Sequence, residues 1–352
     1  MMNLIKDWLQ RNFSDPQAVI LALLLLLGLL VVLVFGKMLA PVLASIVIAY
    51  LLEGLVRTIV RRGAPRLSAV LLVFLFFLAF VVFLLFGVTP LLWSQAVSLA
   101  RELPAYINQG QQLLLQLPQH YPFVSEQQVA EVLQVIRSQS LGWGQSIFTY
   151  SLTSLPGMIT ILVYVVLLPL LVFFFLKDKE ILLRWLNGLL PAQRQLAVQV
   201  WSEVDVQLGN YVRGKFWELL IVGLVSSIAF VLLGLKYALL LGVLVGLSVI
   251  VPYVGAAVVT IPVMLIAWFQ WGWGAEFAWL VLAYTVIQVL DGNVLVPLLF
   301  AEVVNLHPVA IIVSVLLFGG LWGFWGVFFA IPLGALVSAI LRAWPRSAVE
   351  AV

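Results

Sequence analysis

Cysteine is absent from the chain and histidine occurs twice, at His120 and His307. Disulfides, zinc-thiolate sites and thiol nucleophiles are thereby excluded, and no H-E-x-x-H metal motif is present. Neither a G-x-x-x-x-G-K phosphate loop nor a G-x-S-x-G nucleophile elbow occurs. Enzyme chemistry, a cofactor and a nucleotide-driven pump are therefore not expected, and any uphill work falls to an ion gradient. Charge is also scarce: 9% of residues are charged and 64% are apolar, against roughly 25% and 45 to 50% in a soluble domain. The formal net charge of +3 gives no reason to expect nucleic acid as a partner. The expected solvent is a lipid bilayer.

Uninterrupted apolar sequence is what the chain has in abundance. Leu67 to Leu92, Leu155 to Leu176, Tyr237 to Ala275 and Val309 to Leu341 all exceed the roughly 20 residues a helix needs to cross the hydrocarbon core. Two shorter runs, Ala18 to Phe35 and Met38 to Leu52, are long enough to pair as a helical hairpin. The first of them is longer than a signal-peptide core and lacks a cleavage site after it, so it reads as a retained helix. Continuous apolarity without period-two alternation selects helices over a β-barrel. The expected fold is an all-α polytopic membrane protein with about eight hydrophobic segments.

Basic residues orient it, because cationic loops stay cytoplasmic. Lys6 and Arg11, the group Arg57 to Arg66, the group Lys177 to Lys215, and Arg342 with Arg346 hold 14 of the 18; Lys37, Arg101, Arg137 and Lys236 fall outside. Both termini are then cytoplasmic. The expected parts are transmembrane helices 1 to 3 in residues 1–92, an extracytoplasmic helical insert in 93–150 interrupted by Pro104, Pro118 and Pro122, and a fourth helix in 151–176. A cytoplasmic amphipathic linker in 177–215, a core in 216–342 and a cytoplasmic tail in 343–352 complete the chain. In the linker Leu196, Val200, Val204 and Leu208 recur every four residues. That stripe fits an interfacial helix or a helix packed on its own transmembrane core.

The core carries two broken segments, each preceded by an ordinary helix. Pro252, Gly255 and Pro262 interrupt the first; Gly319, Gly320, Gly323, Gly326 and Pro332 interrupt the second. Segments of this length suit re-entrant hairpins better than single kinked crossings. Helix plus broken hairpin, repeated twice with opposite entry, is an inverted repeat, the pattern of secondary transporters.

Each proline frees a carbonyl four residues back: Pro252 that of Ser248, Pro262 that of Val258, Pro297 that of Asn293 and Pro332 that of Phe328. A cation, water or polar substrate is a possible partner for such a carbonyl, as is a neighbouring helix. Asp291, with Gln288 on the same face, is a carboxylate in an apolar helix, which marks a pathway unless it lies hydrated near the helix end. Glu218 is expected to pair with the nearby Arg213 and Lys215 at the cytoplasmic interface. Glu53 with Arg57 is expected to form a structural pair, and His307 before Pro308 reads as a capping residue or a relay.

Tyr211-Val212-Arg213-Gly214-Lys215, Val251-Pro252-Tyr253-Val254-Gly255 through Pro262, Asp291-Gly292-Asn293 with Pro297, Leu306-His307-Pro308, and Gly319-Gly320 through Gly326 to Pro332 resemble, in this order, the motifs of the autoinducer-2 exporter family. The resemblance covers nearly the whole chain. It implies an inner-membrane exporter or permease of a small molecule or ion, with H+ or Na+ as the coupling ion, assembled as a homo-oligomer for which a pentamer is the expected size. Family members commonly carry Glu where this chain has Asp291, which shortens the carboxylate's reach. Translocation of a lipid or lipid-linked carrier, and a non-transporting envelope scaffold acting through residues 93–150, are the alternative functions.

Overall fold

A computed structural model describes residues 16–120, 155–191, 194–252, 254–300 and 306–343, with the isolated Gln127 and Gln134. The described residues contain no strand, and the protein is an all-α membrane protein. Six segments among them are long and apolar enough to cross a bilayer, with four shorter apolar helices beside them. Large apolar side chains such as Phe76, Phe86 and Leu232 stand exposed along these helices, as suits a surface that meets lipid tails. The outer part of the expected insert, and the tail with Arg346, lie outside the described residues.

Helix α1 (Pro16–Arg61) runs through both short apolar runs, which form two candidate spans, Pro16–Gly36 and Met38–Arg61. It is nevertheless folded back on itself. Gln17 Oε1 accepts from the Leu196 N–H, and the Tyr50 hydroxyl bonds to Asp205. Residues 196 and 205 lie about 14 Å apart along their helix, whereas a straight α1 would hold Gln17 and Tyr50 about 50 Å apart, far more than two side chains can span. Pro41, the proline inside α1, removes a backbone donor and supplies the usual cause of such a bend. The two runs expected to pair as a hairpin are thus the two arms of one bent helix.

Helix α2 (Arg66–Phe83), a π turn (Leu84–Val88) and α3 (Thr89–His120) form one rod. Its 51 residues from Arg66 to Gln116 span about 75 Å, more than twice the hydrocarbon core. The boundary expected after residue 92 therefore falls inside a helix, and Pro104 does not interrupt it. Helix α4 (Leu155–Lys177) packs with α2 and the second arm of α1 around Val56, Val70 and Val172. Glu53 ties these elements together: its carboxylate accepts from Arg57, Arg66 and Lys179 at 3.1 to 3.5 Å.

Helix α5 (Lys179–Leu189) has no buried residue and exposes Ile181, Trp185, Leu186 and Leu189. Helix α6 (Gln195–Leu232) runs through the expected linker into the core, so the boundary after residue 215 also falls inside a helix. Its four-residue stripe turns inward: Val200 and Val204 are buried with Leu21 and Ala339. The interfacial reading of that stripe is corrected; the uncovered apolar side chains are those of α5 and, off the stripe, Val198, Trp201 and Val206 of α6.

Helix α7 (Ala238–Ser248) returns antiparallel along α6, with Gly246 on Gly223 and Gly242 on Ser227, the close approach that small residues four apart allow. Helix α8 (Val254–Trp271) then runs back. Gln270 closes the loop, donating to the Gly234 carbonyl and accepting from the Lys236 N–H, both at 2.8 Å. Both ends of this segment thus lie at the same end of the bundle, so it is a hairpin and not a single kinked crossing. Rod α3 reaches that end too, where Glu102 pairs with Lys236 at 2.9 Å and Tyr106 stacks on Phe269.

Helix α9 (Ala275–Leu290), a π turn (Asp291–Leu295) and α10 (Val296–Phe300) lead to the opposite end. There α11 (Pro308–Trp322) rises, Gly323 turns the chain at φ 59°, and α12 (Phe324–Phe328) and α13 (Ala330–Ala343) descend. Gly319 meets Val327 and Gly334 meets Ser314 across this second hairpin, whose end is held by Arg342 on Glu203. The two hairpins enter from opposite ends, as an inverted repeat requires.

Candidate functional site

The first hairpin breaks where Pro252 cannot donate. The freed Ser248 carbonyl accepts from the Val251 N–H at 3.1 Å, and the Gly255 N–H donates to the Val251 carbonyl at 2.9 Å to start α8. A Cβ on Gly255 would collide with the Ser248 carbonyl, so only glycine permits so tight a tip. The Ser248 hydroxyl turns to the Val245 carbonyl. Pro262 lies inside α8. Tyr253 lies outside the described residues.

The side chain that reaches this tip is Lys215. Its ammonium donates to the Val249 carbonyl and pairs with Glu218 Oε2, both at 2.7 Å. It also sits 5.3 Å from the centre of the Phe300 ring. Lys215 is 7% and Glu218 2% exposed, so this pair is enclosed among helices. Burial on this scale demands a partner for each charge, and each has one. Gly214 lets Phe300 close over this region, because a Cβ there would meet the ring at 2.6 Å. Arg213 turns away, bonding Asn210 and passing Gly54 of α1.

Asp291 opens the π turn and lies within electrostatic reach of Lys215 and Glu218. Its Oδ1 is enclosed without a hydrogen-bond partner among the described residues. The neighbourhood therefore holds two carboxylates and one ammonium. One turn away lies Gln288, and the Tyr284 hydroxyl on the same helix lies 2.9 Å from that of Thr260 on α8. Asn293 is exposed and donates to the Val289 carbonyl; Pro297 is exposed as well.

The second hairpin repeats the tip device. Gly326 packs on the Phe318 carbonyl as Gly255 packs on that of Ser248, and a Cβ would collide in both. Gly319 also lies in close contact, whereas Gly320 faces open space. The Phe328 carbonyl, freed by the buried Pro332, accepts from the hydroxyl of the fully buried Tyr211 at 2.9 Å. At the hairpin's base His307 accepts the Val309 N–H on Nδ1 and caps α11, with Pro308 in its first turn. His307 is exposed.

Among known proteins, the profile of the AI-2E family transporter matches residues 19–346. The chain belongs to this family. "Putative permease PerM" of Escherichia coli K12 is 46% identical over 346 residues, covering 98% of either chain. "Putative transport protein YueF" of Bacillus subtilis is 29% identical, covering 85% of this chain and 82% of its own. "AI-2 transport protein TqsA" of Escherichia coli K12 is 27% identical, covering 92% of each.

In this AI-2E family member the structure gathers Glu218, Gly214, Asp291 and the first tip into one place and leaves His307, Asn293 and Arg213 outside it. Sequence reasoning passed over Lys215 and Tyr211 as site residues. Their signal was present in the Tyr-x-x-x-Lys spacing, which puts both on one face of α6.

Proposed function

We propose that this protein is a secondary transporter of a small polar solute, in which Asp291 loads and unloads a coupling H+ or Na+. A multi-pass membrane protein of a transport family is the starting point. The observation that carries the finer reading is the enclosed, unpartnered Asp291 Oδ1 beside the Lys215–Glu218 pair at a re-entrant tip. A carboxylate in that position faces a strong incentive to take up a proton or a cation. Broken helices at such depth are tolerated where they line a pathway. The reading places the protein in the inner membrane with both termini cytoplasmic, as the basic loops require, and as a homo-oligomer, with a pentamer the expected size.

Reconstituted protein tests it. Asp291→Asn keeps shape but cannot ionise, so gradient-driven flux into proteoliposomes should fall to background while the protein stays folded. Unchanged rate and unchanged pH dependence would remove Asp291 from the coupling step. The absence of cysteine makes single-cysteine topology mapping clean. Gln111→Cys should react from outside and Arg62→Cys from the cytoplasm, and the reverse pattern would invert the proposed orientation.

A further inference from the structure

We infer that Tyr211 and Lys215 are paired positioning residues: each holds one hairpin break against α6 by a single hydrogen bond to a backbone carbonyl, so each governs access from one end of the bundle. The two donors lie four residues apart on one face of α6. Tyr211 reaches Phe328 at the break between α12 and α13, and Lys215 reaches Val249 at the break after α7. Pro332 denies the Phe328 carbonyl its intrahelical donor, the Val249 carbonyl follows the last residue of α7, where carbonyls turn to partners outside the helix, and within a bilayer water is not freely available to serve either. The donor side chain therefore decides whether a break stays docked. Because the hairpins enter from opposite ends, release at Val249 frees the wall facing the Lys236 end, and release at Phe328 frees the wall facing the Arg342 end.

The donors also differ in kind. Tyr211 is a neutral phenol, whereas Lys215 is a charge shared between Val249 and Glu218. A change of charge beside Lys215 therefore acts on the first hairpin and not on the second. Tying the Lys215 bond to ion binding at Asp291 rests on the transport reading above; the docking role itself does not.

The test uses the full chain in detergent, without solute or gradient, so that failure of transport and failure of this inference stay separate. Two partly covered reporters are introduced singly into the cysteine-free chain, Val251→Cys at the first tip and Val327→Cys in the second hairpin, and maleimide labelling rates are measured. Tyr211→Phe should raise the rate at position 327 roughly three- to tenfold, the range expected for loss of one hydrogen bond, and leave position 251 unchanged. Lys215→Met should do the converse, and Lys215→Arg should restore slow labelling at 251. Should Lys215→Met fail to fold because Glu218 is left unpaired, the double variant with Glu218→Gln gives the same reading. Equal increases at both reporters would mean general loosening, and no increase would mean that the bonds hold nothing; either outcome overturns the inference.

Discussion

The two hairpins share a backbone device and differ in what fastens them. Each tip depends on a glycine pressed against a carbonyl of the preceding helix, Gly255 on Ser248 and Gly326 on Phe318. Beyond the tip they diverge. The first lies on α6 through glycine-to-glycine contact and a large apolar core containing Leu241, Val245 and Val263, and is held by a buried ion pair. The second rests on smaller clusters around Tyr211 and Val204 and is held by a neutral hydroxyl. Inverted repeats can thus keep one geometry while assigning the two gates unequal strength and unequal sensitivity to charge.

Removing each fastener puts this contrast under the greatest strain. Lys215→Met leaves Glu218 buried without its cation and should cost about 3 to 5 kcal/mol of stability, read as a drop in the denaturation midpoint. Addition of Glu218→Gln should recover much of the loss, because a neutral pair leaves no stranded charge. If the single variant is as stable as the parent, the first hairpin is not held by charge.

Next in size, Gly255→Ala and Gly326→Ala should each cost roughly 1 to 3 kcal/mol, since the new methyl has backbone and not a yielding side chain in front of it. Thermal melts of the two should shift alike; tolerance of one and not the other would end the claim that the repeats share a tip. Tyr211→Phe removes only a hydroxyl and should cost about 1 kcal/mol, well below the lysine variant. Smallest of all is the exposed pair between Lys236 and Glu102. The Glu102 carboxylate holds the Lys236 ammonium above its ordinary range through a hydrogen bond. Its contribution is present at neutral pH and is lost as pH rises through that raised value, and also at low pH once Glu102 takes up a proton. Glu102→Gln should leave the melting temperature at neutral pH unchanged in moderate salt, where such pairs are screened.

Much of the architecture was legible in the chain because proline and glycine act locally. Pro252 with Gly255 marked the first tip, Gly326 with Pro332 the second, and Pro332 pointed to the carbonyl of Phe328. The donor that satisfies that carbonyl comes from 117 residues away, and no local rule names it. The extents of α3 and α6 were missed for a different reason. A change from apolar to polar side chains alters the solvent a helix prefers but leaves its hydrogen-bond ladder intact, so composition shifts at 92 and 215 were mistaken for ends. The stripe from Leu196 to Leu208 shows how far periodicity goes: it establishes that one face is apolar and is silent on whether lipid or Leu21 and Ala339 cover it. Glu218 was expected to pair, and does, but burial depends on the hairpin that closes over it.

The π turn at Asp291 alters the helical phase of the residues after it. Residues nine apart on a regular α-helix point to opposite sides, so Asp291 and Phe300 would look away from each other. A π turn accommodates one more residue than an α turn and rotates the later part of the helix relative to the earlier part. Phe300 is thereby brought round to lie on Gly214 while Asp291 remains in reach of Lys215. One surplus residue does the aiming. Deleting a single position between Gly292 and Leu295 would preserve every side chain named in the site and still take it apart, because the phase of the helix, not its chemistry, would be wrong.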